Sequence, residues 1–97
     1  MIRSFADIGT QDIYNGKRSA KARKTLPIEL WLIAFRKMDI LNSALNVEDL
    51  RFPPGNRLEP LHGTLKGFYS IRINNQWRIL FRWSPQGPED VKIVDYH

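Results

Sequence analysis

From Pro27 to about Leu45 the apolar positions recur at helical spacing. Trp31, Ala34, Phe35, Met38, Leu41 and Leu45 form one stripe, and Arg36, Lys37, Asp39 and Asn42 lie opposite. The spacing predicts a helix with its stripe in the core, opened by Pro27, whose missing donor costs nothing in a first turn. Beyond Gly63 and Gly67 the period drops to two. Tyr69, Ile71 and Ile73 alternate with Phe68, Ser70 and Arg72; after Asn74-Asn75-Gln76, Trp77, Ile79, Phe81 and Trp83 alternate with Arg78, Leu80 and Arg82. Two strands joined by a tight turn satisfy that pattern.

The remaining elements are shorter. Ile2 to Phe5 reads as an opening strand. Asp7 and Asn15-Gly16 are a start and a stop for a weak helix between them, the aspartate as cap and the glycine as left-handed terminator. Phe52-Pro53-Pro54-Gly55-Asn56-Arg57 is too rich in turn formers for a central strand. Ser84 to Asp90 holds two prolines and a glycine and reads as a longer loop, with a last strand from Val91 to Tyr96. Helices first and hairpin-linked strands afterwards predict one α+β domain over residues 1–97, its opening strand and helices packed on one face of an antiparallel sheet.

Composition sharpens this reading. With 97 residues, 42% hydrophobic and 11% aromatic, the chain suits one packed domain rather than a disordered tail. Cysteine is absent, which removes disulfides and thiolate metal sites and fits a reducing compartment. The densest apolar run, Ile28 to Ala34, contains Glu29 and meets Arg36 and Lys37, so no bilayer span or membrane partner is expected. The amino terminus shows no export signal, and a cytoplasmic location is expected. The net charge of +5 favours a polyanionic partner. Lys17, Arg18, Lys21, Arg23 and Lys24 crowd one short stretch, which reads equally as a solvated helical turn or as a surface for phosphates or an acidic protein.

Alternation then gives the charge a location. If Trp77, Ile79, Phe81 and Trp83 face the helices, Arg78 and Arg82 face away, where Arg72 and Lys92 can join them beside Phe68 and Tyr96. Cations for phosphates and rings for bases are what single-stranded RNA requires. Solvation of an open sheet face accounts for the same residues. The two histidines, His62 and His97, match no metal-ligand spacing, so neither a metal nor another cofactor is expected. There is no phosphate loop and no nucleophile triad. General acid–base chemistry with His, Tyr, Asp, Arg and Lys remains, and it suffices for RNA cleavage because the RNA's own 2′-hydroxyl is the nucleophile.

Three stretches carry a family resemblance: Pro53-Pro54-Gly55-Asn56-Arg57-Leu58-Glu59, Gly67 through Ile79, and the ending Val94-Asp95-Tyr96-His97. Together with the opening Met1-Ile2-Arg3-Ser4-Phe5 they resemble the HigB-type killer toxins of the RelE superfamily. The resemblance implies a RelE-like fold and a type II toxin that cleaves messenger RNA in the ribosomal decoding site. It also implies neutralisation by a cognate helix-turn-helix antitoxin of the HigA type, with operator DNA bound only through that complex. Residue by residue, it places Arg78 at the scissile phosphate and makes Asp95, Tyr96 and His97 the catalytic ending. His97 is the choice for proton transfer, since imidazole with a pKa of about 6.5 both accepts and donates at neutral pH. Asp95 would orient it, and Tyr96 would stack on a base or donate a proton. Many relatives carry Lys where this chain has His62, and some carry His where it has Glu59. His62 would then be a titratable replacement for a phosphate-binding cation, with Lys66 compensating, and Glu59 is not expected to hold phosphate. Arg57, Lys66, Arg72, Arg82 and Lys92 complete the expected RNA contacts. The competing readings are a gyrase poison of the same superfamily, which would lack the acid–base residues, and an RNA- or ribosome-binding module without catalysis.

Overall fold

The computed structural model describes residues 1–96, so His97 lies outside the described residues. Asp7 does cap the first helix, α1 (Ile8–Tyr14), by accepting from the Thr10 amide at 2.7 Å. The helix ends at Asn15, with Gly16 left-handed at φ +74°. Ser19 caps α2 (Ala20–Thr25) and donates to Asp12 at 2.6 Å, which ties the basic segment back to α1. Gly9 permits this close crossing, because a Cβ there would lie 2.8 Å from the Lys21 carbonyl.

The long apolar stripe forms α3 (Trp31–Ser43) behind a single 3-10 turn, Ile28–Leu30, so Pro27 caps that turn rather than opening the α-helix. Ala34, Met38 and Leu41 are fully buried, and Trp31 is half-buried, its indole donating to the Leu26 carbonyl at 2.8 Å. Two expected core positions fall outside the core. Leu45 lies past the helix end, 91% exposed, and Phe35 stays at the surface, stacked on Tyr14 with ring centroids 5.6 Å apart. The polar face is not merely solvated: Asn42 accepts from the Ile2 amide at 2.8 Å and Lys37 donates to Asn56 at 2.6 Å.

Four antiparallel strands follow in the spatial order of the chain: β1 (Glu59–Pro60), β2 (Phe68–Arg72), β3 (Trp77–Ser84) and β4 (Gly87–Asp95). Asn74 closes the β2–β3 turn by accepting from the Gln76 and Trp77 amides. The expected loop from Ser84 to Asp90 shrinks to a two-residue turn, with Ser84 opposite Gly87 and Pro88 inside β4. A proline is tolerated there because β4 is an edge of the four-stranded sheet. The expected opening strand is only a single parallel bridge, Phe5 to Val91, supported by hydrogen bonds from Arg3 to Pro88 and from Val91 to Ser4. Next to that bridge β4 kinks: Asp90 is left-handed at φ +53° and the β3–β4 register shifts between Leu80 and Arg82.

One core joins the layers. Met38 and Leu41 of α3 and Leu26 pack with Ile71, Ile79 and Phe81 of the central strands. The helices therefore cover one sheet face, as the α+β reading expected. Among the described residues no helix is long and apolar enough to cross a membrane.

Candidate nucleic-acid interface

Cross-strand partners share a sheet face. The register pairs Arg72 with Arg78, Ser70 with Leu80, Phe68 with Arg82, and Leu80 with Lys92. With Ile71, Ile79 and Phe81 committed to the helices, these partners form the opposite face, and the cationic alternation of the sequence is realised. Its middle is packed rather than open to water: Ser70 is fully buried and Leu80 is 3% exposed.

Arg78 occupies the centre of one end. Its guanidinium lies 3.4 Å from Glu59 Oε1, and its side chain is 13% exposed against 49% for the glutamate. It donates to Ser70 Oγ at 3.3 Å and to the Arg57 carbonyl at 3.4 Å, and it sits 4.8 Å above the Tyr96 ring. These polar contacts are long, and a guanidinium has five donors, so capacity remains for a bound phosphate. Tyr96 is fixed by its own amide, which donates to the Gln76 carbonyl at 2.7 Å.

The scaffold behind this end reaches into the helical layer. Asn56 is fully buried, accepts from Lys37, and donates to the Leu50 and Phe52 carbonyls at 3.1 and 3.2 Å. Burial pushes the Lys37 ammonium below its ordinary pKa. Asn56 thereby holds the turn in which Arg57, left-handed at φ +47°, presents its carbonyl to Arg78.

At the other end Arg82 lies 4.7 Å over the Phe68 ring and 3.7 Å from Asp90, and Lys92 lies 5.7 Å from the same ring. Arg72 faces Arg78 across the hairpin but engages Asn75 in the turn, where it escapes like-charge repulsion.

Not every expected site residue meets the others. Asp95 pairs with Trp77, so it belongs to the helix-facing set, and its carboxylate accepts from Gln76 at 3.0 Å. Tyr96 projects to the cationic face while its neighbour Asp95 does not. His62 is exposed in the β1–β2 connection, one residue beyond the Leu61 amide that donates to Phe68. That places it at the Phe68 end rather than beside Arg78 and Tyr96. Lys66 is exposed in the same connection. The role expected of His97 lies outside the described residues.

Two groups at Arg78 were missed as site residues in the sequence reading. Ser70 could have been found, since it alternates with Phe68 and Arg72. Glu59 was singled out only through the resemblance, as a residue not expected to hold phosphate; its two-residue strand carries no periodicity, and the pairing of Glu59 with Ser70 brings it to the face.

Comparison with known proteins identifies the family and the fold. Residues 3–97 match the family model described as the RelE-like toxin of the type II toxin-antitoxin system HigB. Toxin HigB-1 of Vibrio cholerae serotype O1 is 48% identical over 83 residues, covering 86% of this chain and 84% of that protein. An uncharacterized protein of Haemophilus influenzae is 32% identical over 71 residues, covering 73% and 70%. Two solved structures share the fold. The YoeB-YefM complex from Staphylococcus aureus has a TM-score of 0.59 at 16% identity, covering 100% of this chain and 98% of the matched one. The YoeB/ParE toxin from Agrobacterium tumefaciens has a TM-score of 0.53 at 20% identity, covering 98% and 99%. A RelE-like fold, a cationic sheet face and a family match over nearly its whole length make this chain a member of the HigB toxins of type II toxin–antitoxin systems.

Proposed function

We propose that the toxin acts as a ribosome-dependent, metal-independent messenger-RNA endonuclease. The observation that carries this reading is Arg78, a largely enclosed guanidinium oriented by Glu59, Ser70 and the Arg57 carbonyl and stacked on Tyr96. A fixed cation of this kind suits the charge that builds on a phosphate when the 2′-hydroxyl attacks. The 2′-oxygen forms a bond to phosphorus, the bond to the 5′-oxygen breaks, and the leaving oxygen takes a proton. His97, next to Tyr96 in sequence, is the proposed donor and acceptor of protons. Glu59 is the positioning group for Arg78, and its carboxylate beside the same phosphate site is a second candidate to receive the 2′-hydroxyl proton. Asp95 would tune the carboxy terminus from the other sheet face. Arg57, Lys66, Arg72, Arg82 and Lys92 would grip the backbone, with His62 assigned to that grip at the Phe68 end.

On this reading the toxin works in the cytoplasm on ribosome-bound messages. Its antitoxin is of the helix-turn-helix type, and operator DNA is reached only through the complex. The test is cleavage of a message on translating ribosomes by the wild type, Arg78→Ala and a chain lacking His97. Cuts at discrete codon positions, lost in both variants, are expected. A wild type that arrests growth without cutting would overturn the nuclease reading and point to gyrase.

A further inference from the structure

We propose that Phe68, Arg82 and Lys92 form a second nucleotide subsite, which stacks the base and holds the phosphate of an RNA nucleotide flanking the one handled at Arg78. This rests on the reading of the cationic face as an RNA surface. Phe68 is half-buried and stands apart from the hydrophobic core, so filling the interior does not explain it. Two cations instead converge on its ring, Arg82 at 4.7 Å and Lys92 at 5.7 Å. Asp90 lies 3.7 Å from Arg82 and Glu89 is the cross-strand partner of Arg82 in β4, whereas among the described ion pairs none engages Lys92.

The geometry suits a nucleotide. A guanidinium lying over a ring leaves its outer face free, and RNA bases stack on guanidinium planes as well as on aromatic rings. Arg82 is half-exposed, which leaves that outer face accessible. Lys92, approaching the same ring from the neighbouring strand, supplies a mobile point charge for the phosphate. Arg82 follows Arg78 by four residues along β3, roughly 13 Å at strand rise. That separation is too large for one phosphate to bridge and small enough for one extended strand to span. The unbroken β2–β3 register sets Arg82 opposite Phe68, while the register shift on the β3–β4 side places the extra residue in β4.

A subsite of this kind changes affinity and leaves the chemical step alone. Phe68→Leu removes the ring but keeps apolar bulk, and Arg82→Gln removes the charge from an exposed position. Each would be compared with wild type in two assays, after circular dichroism shows native helix and sheet content. The first is single-turnover cleavage on programmed ribosomes as toxin is titrated. The second is anisotropy of a labelled, 2′-O-methylated single-stranded RNA dodecamer across a salt series. Loss of one stacked base corresponds to about tenfold in affinity. Phe68→Leu is expected to raise the half-saturating toxin concentration and the dodecamer Kd by about that factor, with the maximal rate within about twofold. Arg82→Gln is expected to flatten the salt dependence by about one phosphate contact. A lower maximal rate at unchanged half-saturation, or variants identical to wild type in both assays, overturns the subsite. A wild type that binds the dodecamer without cutting, with binding weakened in the variants, leaves the subsite standing and removes the nuclease reading. A wild type that neither binds nor cuts removes both.

Discussion

The two ends of the cationic face use the same pair of residue types and hold them differently. Arg78 stacks on Tyr96 and Arg82 on Phe68, at nearly equal distances of 4.8 and 4.7 Å. Arg78 is 13% exposed and touches a carboxylate, a hydroxyl and a backbone carbonyl, whereas Arg82 is 49% exposed and has one carboxylate at 3.7 Å. A cation fixed before the substrate arrives stabilises a transition state without reorganising, and a mobile one mainly attracts. On the proposed function, the difference gives chemistry to the Arg78 end and grip to the Arg82 end.

The sharpest way to break this comparison is to delete each arginine in turn. Arg78→Ala should lower the single-turnover cleavage rate by about 100- to 1000-fold, as loss of one preorganised donor does elsewhere. Arg82→Ala should lower it by no more than about tenfold, and only below saturation. Equal losses at saturating toxin would erase the distinction. Arg78→Lys separates charge from shape, because an ammonium cannot serve Glu59, Ser70, the Arg57 carbonyl and a phosphate through one planar fork. It should recover only a small part of the Arg78→Ala loss.

Next in size is the carboxylate beside Arg78. Glu59→Gln keeps the shape and removes the charge that orients the guanidinium, so the maximal rate should fall roughly tenfold, about 1.4 kcal/mol of transition-state stabilisation. Thermal stability should barely change, since a half-exposed ion pair contributes about 0–1 kcal/mol. A fall in affinity with the rate preserved would instead make Glu59 part of the grip.

The two ends also differ in how far sequence alone could reveal them. The strand alternation around Ile71 and Ile79 located Arg72, Arg78 and Arg82 on one face because period two is a local property. The opposite facing of Asp95 and Tyr96 follows from the same alternation, but alternation could not show that Arg72 turns to Asn75, a contact set by the turn's geometry. Glu59 reached the site through a two-residue strand with no pattern of its own. In the helical layer, periodicity found Ala34, Met38 and Leu41, but extended the same stripe to Leu45, which lies beyond the Ser43 end of α3. Pro88 misled in the other direction, because a proline is excluded from a central strand but tolerated at an edge.

Asn56 sharpens the comparison from behind the site. It is fully buried, and its side chain makes three hydrogen bonds that hold the turn leading to Arg57 against α3. Asn56→Ala leaves the Leu50 and Phe52 carbonyls and the Lys37 ammonium without that partner, a loss of about 1–3 kcal/mol in urea unfolding. Cleavage at saturating toxin should fall a few-fold as the Arg57 carbonyl shifts, while dodecamer affinity through Phe68 stays within about twofold of wild type.

The smallest expected effect tests whether the Arg82 end is loose by design of its surroundings. Asp90 occupies a left-handed conformation at φ +53°, which costs an ordinary residue more than it costs glycine, and its carboxylate partly neutralises Arg82. Asp90→Gly removes the charge and relieves the backbone, but adds chain entropy to the unfolded state. These terms oppose one another, so stability should change by less than about 1 kcal/mol. RNA affinity should rise by two- to fivefold at low salt, because Arg82 no longer leaves a carboxylate to meet a phosphate, and the gain should disappear as salt screens the exposed charges. The maximal cleavage rate should not move. If Asp90→Gly changes that rate and not the affinity, Arg82 takes part in the chemistry and the two ends of the face are one site.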